Sequence, residues 1–252
     1  MSAVLSLADV TFGYQDQGLF DGLTFTIQPG ERVSLLGPSG SGKSTVIRLL
    51  LGFTAPSRGQ VVIGEKVVSA DGRVLVPPEE RDLAVVFQDL ALWPHLSVHG
   101  NLDFGLRAKG IGSSERERRI REVLEQTGLT EMGQRYPGQL SGGEQQRVAI
   151  ARALVSSPRA ILLDEPLSNL DVSLKRELVS VFSKLFEERG ITVLHVTHDL
   201  REATALGDRI MVIESGHLVQ EGTLADLHRK PTTAFVRDLV DHLDFNFERL
   251  ER

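Results

Sequence analysis

The fold is decided by the stretch Gly37-Pro38-Ser39-Gly40-Ser41-Gly42-Lys43-Ser44-Thr45. It fits the pattern G-x-x-x-x-G-K-[ST] and lies between an apolar run at 33–36 and a helix-like run at 46–50. This order predicts a strand, a glycine-rich loop and a helix, whose backbone N–H groups form a concave site for the phosphates of a nucleotide. A flexible glycine-serine turn is the alternative, and the flanking runs disfavour it.

Two side chains of this loop have the chemistry that a bound nucleotide needs. We expect Lys43 to place its ammonium on the β and γ phosphates. Ser44 offers a hydroxyl oxygen to Mg²⁺, which prefers hard oxygen ligands. The loop therefore predicts both a phosphate site and part of a metal site.

The composition limits the classes of protein that the chain can belong to. Its 252 residues, 41% of them hydrophobic, fit one large α/β domain or two small ones. A net charge of −6 without a long Lys/Arg block argues against duplex nucleic acid as the main partner. The absence of cysteine excludes disulfides, thiolate metal sites and cysteine nucleophiles. No apolar run reaches about 18 residues, so we expect any membrane role to be peripheral.

Short alternating segments flank the glycine-rich loop. Residues 5–12 and 23–27 alternate between apolar and polar and predict antiparallel strands, and residues 59–68 predict a hairpin. Tyr14 ends the first of these strands. An aromatic ring beside a nucleotide loop can stack on the base, but Tyr14 fits a core or hairpin tyrosine equally well.

Continuous apolar runs at 83–87, 160–163 and 191–197 predict strands buried on both faces of a parallel sheet. Gln88 follows the first run and His198 the last. Ligands of open α/β sheets lie beyond the carboxyl ends of the strands. At that position we expect Gln88 either to reach Mg²⁺ or an attacking water, or to be an ordinary loop glutamine. We expect His198 to donate a hydrogen bond to a γ phosphate. A metal pair of His195 and His198 is disfavoured because their side chains point apart and no third ligand is evident.

The second run ends at two adjacent carboxylates, Asp164 and Glu165. Adjacent negative charges repel each other unless a cation or a polarised water uses them. Consecutive residues leaving a strand point in different directions. We therefore expect Asp164 to bind Mg²⁺ and Glu165 to act as general base on water.

Residues 91–137 differ in composition from the rest and predict a helical insertion, with helices at 98–109 and 113–126. The second helix has one apolar face opposite a run of charges, which is most simply a solvated face. The loop before the first helix holds Trp93, the only tryptophan. Sequence alone leaves open whether Trp93 is a local core residue or part of a docking patch.

A second glycine-rich segment, Ser141-Gly142-Gly143-Glu144, fits a capping box at the start of a helix. The cap explains the serine and the glutamate, but two glycines in the first turn cost about 1 kcal/mol each relative to alanine. Bare backbone at a helix N-terminus suits close approach to a phosphate, so we predict a second anion site. Further on, Asp171 is expected to cap a helix over 172–189.

Taken in this order, the motifs resemble the ATP-binding subunit of an ABC transporter across nearly the whole chain. The segment Leu140-Ser141-Gly142-Gly143-Glu144-Gln145 matches the family signature and is highly specific between Walker A and Walker B. The other matches are the adenine-stacking aromatic at Tyr14, Walker A at 37–45, the Q-loop at Gln88, Walker B at 161–165, the D-loop at 168–171 and the switch histidine at His198.

The resemblance implies the site and its ligands, ATP and Mg²⁺. It implies catalytic roles for Glu165, His198, Lys43 and Gln88, and metal ligation by Ser44, Gln88 and Asp164. It implies nucleotide binding by Tyr14, by residues 37–45, by Ser141, Gly142, Gly143 and Glu144, and by Asp171. A second copy of the chain, bound head to tail, would supply the signature residues in trans.

The resemblance also implies a fold and a setting. The fold class is α/β, a P-loop NTPase core of the ABC type with an N-terminal antiparallel β subdomain and an inserted helical subdomain. We expect one domain over 1–252: a RecA-like core with its β subdomain at 1–90 and 138–230, a helical subdomain at about 91–137 extending to the signature helix, and a helical tail at 231–252.

Spacing and the segment 87–98 look like the import subunits that serve spermidine, sulfate, sugar or ferric-iron systems. This implies a peripheral protein on the cytoplasmic face of the membrane, bound to permease subunits through the loop at 88–97, with an extracytoplasmic solute-binding protein as indirect partner and no nucleic acid. Such relatives often carry a C-terminal β-barrel regulatory domain, which we expect to be absent or vestigial here. An exporter subunit and a soluble mechanical ATPase stay open, whereas a GTPase or kinase does not explain the signature.

Overall fold

Two sheets and a set of helices make up the computed structural model, which describes residues 4–15 and 17–247. The strands formed by these residues are β1 (Leu5–Tyr14), β2 (Gln17–Ile27), β3 (Arg32–Leu36), β4 (Arg58–Ile63), β5 (Lys66–Ala70), β6 (Arg73–Val74), β7 (Leu83–Val86), β8 (Ala160–Asp164), β9 (Thr192–Val196), β10 (Arg209–Glu214) and β11 (His217–Gly222). The α-helices are α1 (Lys43–Leu51), α2 (Val98–Ala108), α3 (Ser113–Gln126), α4 (Gly142–Val155), α5 (Val172–Arg189), α6 (Leu200–Leu206), α7 (Leu224–Arg229) and α8 (Ala234–Phe247).

The central sheet has the strand order β11-β10-β3-β9-β8-β7. Its strands from β10 to β7 are parallel, and β11 pairs with β10 in antiparallel fashion. The carboxyl ends of β3, β9, β8 and β7 therefore meet at one edge of the sheet. Most of the predicted site residues lie at the ends of these four strands or just after them, namely residues 37–45, Gln88, Asp164, Glu165 and His198. The signature residues, Asp171 and Tyr14 lie elsewhere in the fold.

β7 differs from the expectation of a strand buried on both faces. It pairs with β8 alone at the edge of the sheet, and only Val86 is buried, whereas Leu83, Ala84 and Val85 are half-buried. An apolar run does not distinguish an edge strand from a central one, because both bury apolar side chains against the layers above and below.

A second sheet, with the order β2-β1-β4-β5-β6, is antiparallel throughout, as the alternating segments predict. Its inner face shares one hydrophobic cluster with α1 and with one face of the central sheet. Seven of the nine residues of α1 are buried. The helix that begins at Lys43 is thus held on both sides, which fixes the loop before it.

Arg81 anchors the far end of α1. Its guanidinium is buried, with 2% of the residue exposed, and burial lowers its pKa to about 10. All five of its N–H donors are satisfied, by the carbonyl oxygens of Leu49, Leu50, Val68 and Val76 and by the hydroxyl of Ser69. Two of these carbonyls belong to the last turn of α1, where the negative end of the helix dipole favours a cation.

The other face of the central sheet is covered by α2, α3, α4 and α5, which share one hydrophobic cluster with it. In α3 the side chains Ile120, Val123 and Leu124 are buried. On its opposite face Glu115 pairs with Arg118 and Arg119, both at 2.7 Å, which confirms the predicted solvated charge run.

The last helices, α6, α7 and α8, form a third cluster with β10. From the sequence, a helix is also predicted at 233–242, with Phe245 and Phe247 packing back on the domain. α8 continues beyond that prediction to Phe247, and the side chains of Phe245 and Phe247 lie outside the described part of the structure. Within the described residues, no helix combines the length and the apolar character that crossing a bilayer requires.

Candidate functional site

The glycine-rich loop joins β3 to α1 in a conformation that depends on glycine. Gly40 and Gly42 have φ angles of 81° and 104°, and a Cβ on Gly42 would overlap the ring of Phe20. The ammonium of Lys43 donates to the carbonyl oxygens of Gly37 (2.8 Å) and Pro38 (3.1 Å). The loop therefore curves around the lysine, as a phosphate cradle requires.

Two groups in this loop are available to an anion. The hydroxyl of Ser41 is buried and has no hydrogen-bond partner among the described residues, although buried polar groups are normally paired. Burial lowers the pKa of Lys43, while the carboxylates of Glu165 and Asp164 act in the opposite direction. A bound phosphate would give the Ser41 hydroxyl an acceptor oxygen and would place a negative charge beside the ammonium of Lys43. The loop therefore fits the predicted ligand.

The loop contacts Asp164 at the end of β8. The hydroxyl of Ser44 donates to Oδ1 of Asp164 at 3.1 Å. Burial raises the pKa of Asp164, and repulsion from Glu165 acts in the same direction, whereas the hydrogen bond from Ser44 opposes them. A hydroxyl and a carboxylate side by side are oxygen ligands of the kind that Mg²⁺ uses, and a cation there would keep Asp164 ionised.

Glu165 follows with a left-handed backbone, φ 48°, which is uncommon for a residue other than glycine. Its N–H donates to the carbonyl oxygen of Val196 on β9 (2.9 Å). Its carboxylate lies 3.1 Å from Nδ1 of His198, whose side chain is 60% exposed. The backbone turn thus directs Glu165 toward His198 at the open edge of the sheet, away from the contact between Ser44 and Asp164.

Tyr14 lies beside the same loop. Its hydroxyl is 3.2 Å from Oγ1 of Thr45 and accepts a hydrogen bond from Arg48 (3.3 Å). Burial would raise the pKa of Tyr14, but the hydrogen bonds from these two residues outweigh it and lower the pKa. The ring makes a T-shaped contact with Phe12 and the residue is 46% exposed, so part of it is accessible to a ligand.

Gln88 is exposed in the turn that follows β7. Its side chain makes no hydrogen bond with the described residues, and nothing joins it to Ser44 or Asp164. Its predicted place among the metal ligands stays a prediction.

The signature segment lies at the start of α4. Ser141 and Glu144 form the predicted capping box, with the carboxylate of Glu144 accepting from the N–H (2.7 Å) and the hydroxyl (2.8 Å) of Ser141. A Cβ on Gly143 would lie 2.8 Å from Leu174 of α5, whereas Gly142 is exposed and meets only Leu170 at 3.7 Å. The atom that a Cβ on Gly143 would meet is the end of a flexible leucine side chain, so packing alone does not require glycine at either position.

Asp171 caps α5, as predicted. Its Oδ1 accepts from the N–H groups of Ser173 and Leu174, both at 3.0 Å. The carboxylate thus supports the helix against which Gly143 packs.

These contacts divide the predicted site residues into two groups. Tyr14, the loop at 37–45, Asp164, Glu165 and His198 lie together at one sheet edge. Residues 141–144 and Asp171 form the second group, and no hydrogen bond or ion pair in the described part of the chain joins it to the first. One copy of the chain therefore holds these predicted site residues in two separate groups, and Gln88 is joined to neither.

Sequence reasoning missed two arginines that touch this region. Arg48 lies three residues after Thr45, and this helical spacing places both on the side of α1 that meets Tyr14. Arg152 of α4 contacts the loop after Gln88, and no spacing in the sequence signals that contact.

Several known proteins resemble this chain in sequence or in fold. The model of the family described as ABC transporter matches residues 20–168. An Fe(3+) ions import ATP-binding protein of Rhizobium meliloti is 46% identical over 218 residues, which cover 86% of this chain and 60% of that protein. A trehalose/maltose import ATP-binding protein of Thermococcus litoralis is 43% identical over 226 residues, covering 89% and 61%. The chain thus spans about three fifths of the length of these curated relatives.

Among solved structures, an ATP-binding cassette in a dimeric, post-hydrolysis state with bound ADP and Pi is similar, with a TM-score of 0.73. It is 34% identical, and the likeness covers 87% of this chain and 98% of that one. The predicted fold class, an α/β P-loop core with an antiparallel β layer and a helical insertion, is confirmed.

Proposed function

The chain belongs to the ABC transporter family, and from this premise we propose that it is the ATP-hydrolysing subunit of a complex that imports a solute. The observation that carries the proposal is the sheet edge where the loop at 37–45, Asp164, Glu165 and His198 meet. Phosphoryl transfer to water requires a phosphate cradle, a metal ligand and a general base, and the loop, Asp164 and Glu165 offer these three functions.

Each side chain has a distinct part in the proposed reaction. Glu165 accepts the proton of the attacking water, and its contact with His198 orients the carboxylate. Lys43 exchanges the carbonyl oxygens of Gly37 and Pro38 for phosphate oxygens. Lys43 and His198 then stabilise the negative charge that gathers on the transferred group.

Ser44 and Asp164 would hold the Mg²⁺ that accompanies ATP, with Gln88 as a third candidate ligand. The bound ion neutralises charge on the β and γ phosphate oxygens. The contact between Ser44 and Asp164 supports this assignment because it already joins two oxygen ligands of the required kind.

A second copy of the chain would complete the site. Residues 141–144 form the N-terminus of α4, where the backbone of Ser141 and Gly142 is exposed and suited to binding phosphate. No hydrogen bond or ion pair among the described residues joins this segment to the cradle of its own copy. In a head-to-tail pair, Ser141 and Gly143 of one copy would face the γ phosphate in the cradle of the other. The dimeric state of the similar cassette supports this arrangement.

Membrane permease subunits are the proposed partners of the loop at 88–97, where Trp93 packs against Phe104, itself 51% exposed. The chain would then act at the cytoplasmic face of the membrane, with a solute-binding protein as the indirect partner. The names of the two curated relatives, one for ferric iron and one for sugars, support import and leave the solute open. We also propose that residues 1–252 form one cassette, with the helical subdomain at about 91–137.

The test compares the purified chain with Glu165→Gln and Ser141→Arg. Glu165→Gln keeps the shape of the site and removes the base, so turnover should fall by about 10²–10⁴-fold while Mg-ATP binding persists and a dimer accumulates. Ser141→Arg should bind nucleotide as a monomer, form no dimer and lose turnover. ATPase assays, nucleotide titration and light scattering measure these three properties. Unaltered hydrolysis in Glu165→Gln would remove Glu165 from its role, and loss of monomer binding in Ser141→Arg would contradict a site completed in trans.

A further inference from the structure

The turn after Gln88 contains two consecutive residues with left-handed backbone, Leu90 (φ 59°) and Ala91 (φ 44°). Neither is glycine, and an L-residue in this conformation costs roughly 1–2 kcal/mol. Such a pair persists only where the surrounding structure holds it. The contacts that hold it are therefore part of how the loop is positioned.

Arg152 of α4 supplies those contacts. Its Nη2 donates to the carbonyl oxygen of Leu90 (2.7 Å) and its Nη1 to that of Ala91 (2.6 Å). The same guanidinium lies over the ring of Trp93, 4.9 Å from the centroid, within the range of a cation–π contact. One planar side chain thus contacts three of four consecutive residues of the loop.

The second half of the loop is held from α2. The N–H of Trp93 donates to Oδ1 of Asn101 (2.9 Å), and Nδ2 of Asn101 donates to the carbonyl oxygens of Trp93 (3.2 Å) and Leu96 (3.1 Å). The Trp93 ring packs against Phe104, with centroids 4.5 Å apart. Arg152 therefore hydrogen-bonds this loop to α4, beside the packing of Leu90 and Leu92 on the hydrophobic cluster to which α4 belongs, while α2 anchors the other end of the loop.

α4 connects this contact to the signature. The helix begins after Ser141, and Arg152 follows Gly142 by ten residues, about 15 Å along the axis. A helix of this length transmits a displacement of its first turn to its last turn. We propose that Arg152 is a positioning residue that couples α4 to the loop at 88–93, so that a change at the N-terminus of α4 alters the surroundings of Trp93. The inference rests on the proposed function, because that change is the docking of a second copy with its nucleotide.

The chain itself provides the probe, since Trp93 is its only tryptophan. In the unliganded full chain, Arg152→Met keeps most of the aliphatic length and removes the donors and the charge. We expect the acrylamide quenching constant of Trp93 to rise about twofold, because the ring loses its cation. Arg119→Met on α3, which removes a pair with Glu115, is the matched control and should leave the quenching constant unchanged.

The coupling is tested with Mg-ATP in a Glu165→Gln background, by light scattering and Trp93 quenching on the same sample. With Arg152 present, dimer formation should shift the quenching constant. With Arg152→Met the dimer should still form, and the shift should fall to less than about a quarter. Arg152→Lys keeps the charge, but an ammonium does not reproduce the planar fork, so its shift should also be reduced. If Arg152→Met does not fold, the same comparison is made with Arg152→Lys.

Two results would overturn the inference: a quenching constant in unliganded Arg152→Met equal to that of the unsubstituted chain, or a full shift on dimer formation in both Arg152 variants. Absence of an ATP-dependent dimer in the chain that retains Arg152 would instead contradict the proposed function. The unliganded comparison then decides whether Arg152 positions the loop.

Discussion

His195 and His198 lie three residues apart in the sequence, but their surroundings are opposite. His198 is largely exposed beside Glu165, whereas His195 on β9 is fully buried. Nδ1 of His195 is 3.4 Å from the hydroxyl of Ser34, and its Nε2 has no hydrogen-bond partner in the described part of the chain, although Oε2 of the buried Glu202 lies 3.8 Å from Nε2. Burial lowers the pKa of His195 to about 3. The two side chains therefore lie in opposite environments, one at the exposed candidate site and one in the core.

We predict that His195 makes the fold sensitive to acid. Above pH 6.5 the imidazole is neutral in both the folded and unfolded chain and contributes nothing to the pH dependence. Below pH 6.5 the His195 imidazole becomes protonated in the unfolded chain, whereas in the folded chain it stays neutral down to about pH 3. The free energy of unfolding therefore decreases as the pH falls. At pH 5 the loss is about 2 kcal/mol.

Urea denaturation at pH 7.5 and 5.0 measures this effect. His195→Gln cannot take up the proton, so its free energy of unfolding should fall by about 2 kcal/mol less than that of the unsubstituted chain between these pH values. His217→Gln, at an exposed position of β11, controls for the loss of a histidine. Parallel losses in the unsubstituted chain and His195→Gln would contradict the assignment.

At the scale of elements, the N-terminus of α5 supports the signature helix. Asp171 caps α5 through two N–H groups, and Leu174 in its first turn packs against Gly143. The cap was predicted from sequence because an N-cap is a local pattern of side chain and backbone. The packing of Leu174 was not, because it joins two helices whose contact depends on the whole fold. Gly143 thus lies against the first turn of α5, a neighbour that the sequence did not reveal.

We predict that Asp171→Ala lowers the free energy of unfolding by about 1 kcal/mol, while Asp171→Asn changes it by less than about 0.5 kcal/mol. Asparagine keeps the acceptor oxygen that binds the N–H groups of Ser173 and Leu174, and alanine does not. Urea denaturation of the two variants measures the difference. An asparagine variant as unstable as the alanine variant would show that the charge, and not the cap, stabilises the helix. ATPase assays on Asp171→Asn test its proposed nucleotide role separately.

For the whole molecule, the sequence predicted the sheet edge because parallel strands bring their carboxyl ends together, so the residues after each apolar run had to meet. It did not predict that β7 is an edge strand, since an apolar run contains no information on strand order. It also did not predict the contact of Arg152 with Leu90, 62 residues away along the chain. Contacts of that kind follow from tertiary packing and leave no periodic signal.

The central claim is that two copies complete the site, with Ser141 of one close to the cradle of the other. The chain has no cysteine, so the introduced thiols are the only ones that a cross-linker can join. Ser39 and Ser141 are both exposed, and both are changed to cysteine in a Glu165→Gln chain. Ser39→Cys with Ser156→Cys is the control, because the half-buried Ser156 lies at the other end of α4, about 22 Å from Ser141.

The decisive measurement is cross-linking by a short bis-maleimide, read as covalent dimer on a denaturing gel. The account predicts covalent dimer from the Ser39 and Ser141 pair with Mg-ATP, little without nucleotide, and little from the control pair. With Mg-ATP shown to be bound, equal cross-linking of both pairs, or none from the Ser39 and Ser141 pair, would contradict it.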